Sequence, residues 1–244
     1  AVLNVSGRRY VLKGSESGWA VMDTNEAFDI GNTSELDARP TTISRINNVT
    51  EAMEQMITDG ITEVIVQPTH VINGIENDLM KEDALAFKNH FERITFGDPL
   101  LTTQQDHVEI VNAICQEFSN LPADCALILM GHGTSHYAND VYAALDYRFK
   151  DLGFSNIHLA TVEGYPTLEN VTRMVKEQEA KKVILAPFMI VAGDHARNDM
   201  SGDDEDSWKN QFRAAGYDVE CRMKGLGEYP AIQDMLIRHV TEVC

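Results

Sequence analysis

Lys182-Val183-Ile184-Leu185-Ala186-Pro187-Phe188-Met189-Ile190-Val191-Ala192-Gly193-Asp194-His195, continued by Ala196-Arg197-Asn198-Asp199-Met200-Ser201-Gly202-Asp203-Asp204-Glu205-Asp206-Ser207-Trp208, decides how the chain is read. An apolar, β-branched run that stops at Gly-Asp-His reads as a buried strand delivering a polar cluster to its carboxyl end. Open α/β sheets take their ligands at that edge. Chemistry is therefore expected at His195.

Outward from this stretch, the second half of the chain alternates strands with helices. Cys125 to Met130 is a continuous apolar run of strand length, followed by Gly131-His132-Gly133-Thr134-Ser135-His136. Asn139 to Leu152 reads as a helix, Ile157 to Val162 as a strand and Thr167 to Glu179 as a helix. After the opening stretch come a helix from about Trp208 to Ala215, a strand at Val219 to Met223 and a closing helix from Ala231 to Val243. In the first half, apolar positions from Ile43 to Ile57 recur at helical spacing, and the helix should stop at Gly60. Glu63 to Pro68 reads as a buried parallel strand, Glu76 to Arg93 as helix, Ile94 to Phe96 as a short strand and Gln104 to Phe118 as helix. Residues 1–40 are atypical: Val11-Leu12 and Trp19 to Met22 suit short strands, but Gly14, Gly18, Gly31 and Pro40 interrupt any longer period. Such alternation implies parallel sheets with helices on both faces.

An internal repeat divides the chain. Val64-Ile65-Val66-Gln67-Pro68-Thr69, with Gly74, Asn77-Asp78 and Met80, echoes Val183-Ile184-Leu185-Ala186-Pro187-Phe188, with Gly193, Asn198-Asp199 and Met200. Both copies follow a helix bearing Asn-Val-Thr, at Asn48 and Asn170. The expectation is an α/β half-domain over residues 1–122 and a second, carrying the site, over residues 123–244, joined near Leu121 to Asp124 with a cleft between them. His195 then falls opposite Glu76.

Composition narrows the chemistry. The 244 residues carry 38 acidic and 20 basic side chains, a formal net charge of -18. Such a field repels phosphate backbones and anionic membranes, so nucleic acid and membrane are not expected as partners. It also repels a polyanionic small molecule, which would need local donors in its site. No apolar run is long enough for a membrane span, and the first residues lack the basic-then-apolar order of a secretory signal, so a cytoplasmic location is expected. Cys115, Cys125, Cys221 and Cys244 have no paired spacing and are given no role.

Three polar side chains stand immediately after three strands of the second half: His132, Glu163 and His195. Parallel neighbours end on one edge of a sheet, so the three can converge. Two imidazoles and a carboxylate suit a divalent first-row metal; cobalt, iron, nickel and zinc all accept them. Singly, each histidine reads as a packed or hydrogen-bonded turn residue; three convergent positions argue against that. Gly131-His132-Gly133-Thr134-Ser135 fits neither a Walker loop nor GxGxxG, which argues against a nucleotide, although the loop can hold a carboxylate. No GxSxG is present. The acidic run Asp203 to Asp206 reads as a solvated helix start ahead of Trp208.

At these residues the chain resembles a known family. Gly131-His132-Gly133, Val162-Glu163-Gly164-Tyr165-Pro166, the stretch from Pro187 through Gly193-Asp194-His195-Ala196 to Asp203, and Val66-Gln67-Pro68-Thr69-His70-Val71-Ile72-Asn73-Gly74 are similar to the anaerobic cobalt chelatases of cobalamin biosynthesis. These are class II chelatases, relatives of ferrochelatase, that act on sirohydrochlorin. The resemblance covers about residues 45–244 and implies two Rossmann-like half-domains with the tetrapyrrole in the cleft. It implies a metal and catalytic set mapping to His132, Glu163 and His195, with Co2+ as substrate metal and no organic cofactor. Thr134, Ser135 and Arg197 are candidate donors to the substrate's carboxylates, Arg197 equally a partner for nearby aspartates. One departure is plain: the family opens with a strand and a Phe-Gly-Thr-Ser loop, which residues 1–40 lack.

Two rival readings keep the same residues. An iron chelatase making sirohaem would use the same ligands on Fe2+, since affinity alone seldom fixes metal identity. A non-catalytic metal- or haem-binding protein would bind without turnover, with His70, His90 or His107 as axial ligands. A homo-oligomer is compatible with all of these.

Overall fold

The computed structural model describes residues 47–244 in full and, ahead of them, the backbone of three strands, β1 (Val2–Val5), β2 (Arg8–Ser15) and β3 (Gly18–Thr24). The chain packs as two units, Ala1–Thr102 with Gln233–Cys244, and Thr103–Ile232.

In the first unit, α1 (Val49–Thr58) opens on a capping box: Asn48 accepts from the Glu51 N–H and Glu51 accepts from the Asn48 N–H. Such a cap contributes about 1 kcal/mol. Helical spacing buries Val49, Ala52, Met53 and Met56, which pack with Val64 and Val66 of β4 (Glu63–Gln67). The helix predicted to begin at Ile43 thus begins at Val49; Ile43 and Ile46 lie outside the described residues. The helix expected from Glu76 to Arg93 is shorter. It runs as α2 (Ile75–Leu85), gives way to a 3-10 turn at Lys88–His90, and Arg93 already belongs to β5 (Arg93–Phe96). The chain turns there because Phe91 inserts into the core beside Met80 and Ala84.

The sheet of this unit runs β3-β2-β1-β4-β5. β4 and β5 are parallel as expected, but β1, β2 and β3 form an antiparallel meander, and β1 is antiparallel to β4. Parallel pairing therefore describes only part of this sheet. The short β2-to-β3 connection requires it, since parallel neighbours need a long crossover.

The second unit has the sheet the sequence implies. β6 (Cys125–Gly131), β7 (Ile157–Thr161), β8 (Lys182–Pro187) and β9 (Asp218–Cys221) lie in the order β7-β6-β8-β9, all parallel. All seven residues of β6 are buried, which is why its sequence shows no alternation. α3 (Gln104–Glu117), α4 (Asp140–Asp151), α5 (Leu168–Glu177), α6 (Trp208–Ala214) and α7 (Pro230–Thr241) complete the described helices. Ala126, Ile128, Met130, Val183 and Leu185 form one core with Val171 and Val175 of α5 and with Trp208 and Phe212 of α6. Each large apolar side chain buried there contributes roughly 1.5–3 kcal/mol. α3 goes with this unit although the sequence put the junction after it, near Leu121 to Asp124. It buries Ile110, Val111 and Ile114 and lies against α4, and the last turns of α7 go with the first unit, where His239 Nδ1 donates to the Asp98 carbonyl at 3.0 Å.

One partly buried polar network, centred on the buried His158, stands at the amino end of β7. Asp146 accepts from Lys150 at 2.5 Å and from the Leu159 N–H at 2.9 Å, Lys150 also reaches His158 Nδ1 at 3.3 Å, and His158 Nε2 meets Gln178 Oε1 at 2.9 Å. Burial, and then the Lys150 ammonium, hold the His158 imidazole below its ordinary range. His158 thus donates from Nε2 and accepts at Nδ1, as a neutral ring.

Candidate metal centre

Strand register is what assembles the site. In the β6–β7 ladder Gly131 faces Thr161, and in the β6–β8 ladder Met130 faces Pro187, so the three strands end level. The ladder continues past the strands: the Val162 N–H donates to the Gly131 carbonyl at 3.0 Å and the Glu163 N–H to the His132 carbonyl at 2.8 Å. His132 and Glu163 are thereby fixed side by side. On the other flank the Phe188 N–H donates to the Met130 carbonyl at 2.6 Å, and the 3-10 turn Leu226–Glu228 donates two N–H groups to the carbonyls of Met189 and Ile190. Gly225 permits that approach, since a Cβ there would lie 2.5 Å from the Ile190 carbonyl oxygen. The segment after β8 is thus held down until it delivers His195 at the start of a π-helical turn, Ala196–Met200.

The three side chains meet. Each of His132, Glu163 and His195 offers one ligand atom such that all lie within 4.8 Å of one another, and among the described residues they form the one group of this kind. The two imidazoles stand edge to face, 4.7 Å between centroids and 81° between planes, and His132 Nδ1 lies 4.0 Å from Glu163 Oε2. Nitrogen and oxygen ligands sit about 2.0–2.2 Å from a first-row metal, so opposed donors can be at most about 4.4 Å apart. The 4.8 Å limit on the spacing of the three groups is therefore close to what one ion requires.

The second nitrogen of each imidazole has a partner that selects its tautomer. His132 Nδ1 donates to the Gly133 carbonyl at 2.8 Å, and His195 Nδ1 lies 2.6 Å from Asp199 Oδ2. Both contacts favour protonation at Nδ1 and leave Nε2 the electron-pair donor, the arrangement metal-ligating histidines usually show. Asp199 sits four residues after His195, one turn along the same face; that His-x-x-x-Asp spacing was legible, but its role was not drawn from the sequence.

The remaining candidates take different places. Thr134 is committed to its own loop: its Oγ1 accepts from the His136 N–H at 3.2 Å and its N–H donates to Asn139 Oδ1 at 3.0 Å. Ser135 is exposed on that loop, and Arg197 is exposed on the π turn two residues beyond His195. Glu76, opposite His195 in the repeat, is exposed in the first turn of α2. The acidic run behaves as a helix start: Ser207 caps α6 by accepting from the Asn210 N–H, Asn210 Nδ2 donates to the carbonyls of Asp203 and Asp204, and Lys209 pairs with Asp203 at 3.1 Å. Of the histidines offered as axial ligands, His70 is half-buried and His90 exposed in the first unit, and His107 is buried in the second. Among the described residues, no helix is long and apolar enough to cross a membrane.

Comparison with known proteins bears on the same residues. The family model described as cobalt chelatase (CbiK) matches residues 33–244. The sirohydrochlorin cobaltochelatase of Salmonella typhimurium is 36% identical over 195 residues, covering 80% of this chain and 74% of that protein. The sirohydrochlorin cobaltochelatase CbiKC of Nitratidesulfovibrio vulgaris is 32% identical over 203 residues, covering 81% of this chain and 71% of its own. Among solved structures, SirB from Bacillus subtilis with Fe3+ superposes with a TM-score of 0.58 at 14% identity, over 86% of this chain and 85% of SirB, which is a likeness of fold. With a family model matching most of its length and two relatives above 30% identity, the chain belongs to the cobalt chelatase (CbiK) family.

Proposed function

We propose that this chain inserts cobalt(II) into sirohydrochlorin, with His132, Glu163 and His195 presenting the ion to the macrocycle. The observation that carries the reading is the meeting of two imidazoles and a carboxylate, one ligand atom of each within 4.8 Å of the others, on the segments that follow three adjacent parallel strands of a cobalt chelatase family member. The names of the two relatives supply the tetrapyrrole and the metal.

Insertion removes two pyrrole protons while the ion passes from protein donors to ring nitrogens. Imidazole and carboxylate suit both tasks, because each binds a divalent ion through a lone pair and accepts a proton when that lone pair is released. Asp199 and the Gly133 carbonyl hold the two rings with Nε2 available, so the donors do not have to reorient as the ion arrives. Glu163, the most exposed of the three, is the group free to swing as the ion moves from protein to ring. The net charge of -18 favours cations and opposes a polycarboxylate, so the substrate's carboxylates need local donors. Arg197, Ser135 and the N–H groups around them are assigned that work. No organic cofactor enters this scheme.

The test supplies catalytic protein with sirohydrochlorin and equal free cobalt(II), iron(II) or nickel(II), and follows the absorption change of the macrocycle. Many turnovers, fastest with cobalt, are expected. Faster insertion of iron at matched free concentration would make this a chelatase of sirohaem synthesis. One equivalent of bound pigment without turnover would make it a carrier.

A further inference from the structure

The two loops that hold His132 and Glu163 are bracketed by a residue to which no role has been given. Asn139 closes the 3-10 turn Tyr137–Asn139 just ahead of α4, and is 8% exposed. Its side-chain oxygen accepts from the Thr134 N–H at 3.0 Å, and its side-chain nitrogen donates to the Tyr165 carbonyl at 2.7 Å. One end of a single planar amide therefore grips the loop two residues beyond His132, and the other end grips the loop two residues beyond Glu163.

The surroundings are shaped to that grip. Gly133 has φ +84°, and a Cβ on it would stand 2.6 Å from the Gly164 nitrogen, so the two loops touch backbone to backbone. A Cβ on Gly164 would stand 2.3 Å from Asn139 Oδ1, so only glycine lets the amide lie across that seam. The loops are also joined at their bases by the Val162 N–H to the Gly131 carbonyl and the Glu163 N–H to the His132 carbonyl, which pair the backbone up to those residues. A further tie at Thr134 and Tyr165 holds the loops on the far side of His132 and Glu163 as well. The Asn139 amide is that tie, and a side chain of another length or without both a donor and an acceptor cannot make it.

We infer that Asn139 is a positioning residue that sets the separation of Glu163 from His132, and so determines how tightly the centre closes on a divalent ion. The inference rests on the reading of His132, Glu163 and His195 as metal donors. It assigns Asn139 no contact with metal or tetrapyrrole; its effect passes through Glu163.

The test measures binding of cobalt(II) alone to the full chain by its ligand-field absorption, in the unmodified protein, N139A, E163Q, H195A and the double variants N139A/E163Q and N139A/H195A. Loss of a group that orients a metal ligand costs about 10- to 100-fold in affinity, and about tenfold is expected for N139A because the ladder bonds from Val162 to Gly131 and from Glu163 to His132 survive. That loss should persist on the H195A background and vanish on E163Q, which a merely structural role would not do. N139D covers the case of an N139A chain that does not fold: it keeps shape and acceptor but loses the donor to Tyr165. Its added negative charge alone would tighten cation binding, whereas the inference requires weaker binding. Unchanged cobalt affinity in N139A, an undiminished loss on the E163Q background, or tighter binding by N139D would each overturn the inference. If E163Q and H195A themselves bind cobalt like the unmodified protein, the reading of the metal centre fails first and the inference falls with it.

Discussion

Asp199→Ala removes the carboxylate that lies 2.6 Å from His195 Nδ1. Two consequences separate cleanly. For folding, the pair is a one-turn contact with Asp199 almost half exposed, so its loss should cost at most about 1 kcal/mol of stability. For metal binding, the carboxylate selects the tautomer with Nε2 available and keeps the ring from rotating about its side-chain bonds. Without it the other tautomer and other rotamers compete, and a loss of about 10- to 100-fold in cobalt(II) affinity follows, or roughly 1.4–2.7 kcal/mol. The exposure of Asp199 puts the expected value near the lower end, because water can take the vacated place on Nδ1. Asp199→Asn retains an acceptor oxygen within reach and should fall between the two. The assay is a cobalt(II) titration read by ligand-field absorption, with thermal midpoints measured in parallel. An Asp199→Ala protein that binds cobalt as tightly as the unmodified chain would refute the assignment of Asp199 as the group orienting His195.

His195→Ala should lower the initial rate of cobalt insertion by about a hundredfold or more while moving the thermal midpoint little, since the ring stands on a turn rather than in the core. Glu76→Ala, its counterpart in the repeat, should be near normal; a dead Glu76→Ala protein would bring the first unit into the chemistry. A third expectation concerns acid. Burial holds His70 well below its ordinary 6.5, at about 4. The folded state therefore binds fewer protons than the unfolded chain between those values, so the stability contributed by the neutral ring is present above about pH 6.5 and is lost as pH falls toward about 4. The loss is on the order of 3 kcal/mol. Urea midpoints measured across that range should slope less in His70→Gln than in the unmodified protein, with the remaining slope carried by His107 and His158, both also lowered by burial. Superimposable curves for the two proteins would show that His70 is not the group responsible.

Much of the second unit was legible because its information is local. A parallel strand covered on both faces must be apolar throughout, so Cys125 to Met130 and Val183 to Pro187 announce themselves, and the next polar residue marks the strand's end. That reasoning selected His132, Glu163 and His195, although His195 does not follow its strand directly: β8 ends at Pro187, and His195 stands eight positions further on, because the apolar run continues past the strand into a loop. The family resemblance then supplied a metal and a tetrapyrrole, which no periodicity encodes. The first unit was less legible for the same reason inverted. β1 and β2 owe their pairing to partners across an antiparallel meander, and the stop of α2 at Leu85 comes from Phe91 entering the core, not from a helix-ending residue at that point.

What only the tertiary structure decided is the closeness of the groups and the means by which they are held. In sequence Glu163 lies 31 positions after His132, and His195 lies 32 positions after Glu163. Strand register sets Gly131, Thr161 and Pro187 level, and the loops beyond them carry His132, Glu163 and His195 to where one candidate ligand atom of each lies within 4.8 Å of the others. The supports are less local still. Asn139 binds residues 5 and 26 positions away, and the Leu226–Glu228 turn reaches back to Met189 and Ile190. Donor chemistry is a property of residue type and so is written in the chain, whereas the angles and distances that make donors into a centre arise from hydrogen bonds between segments far apart in sequence.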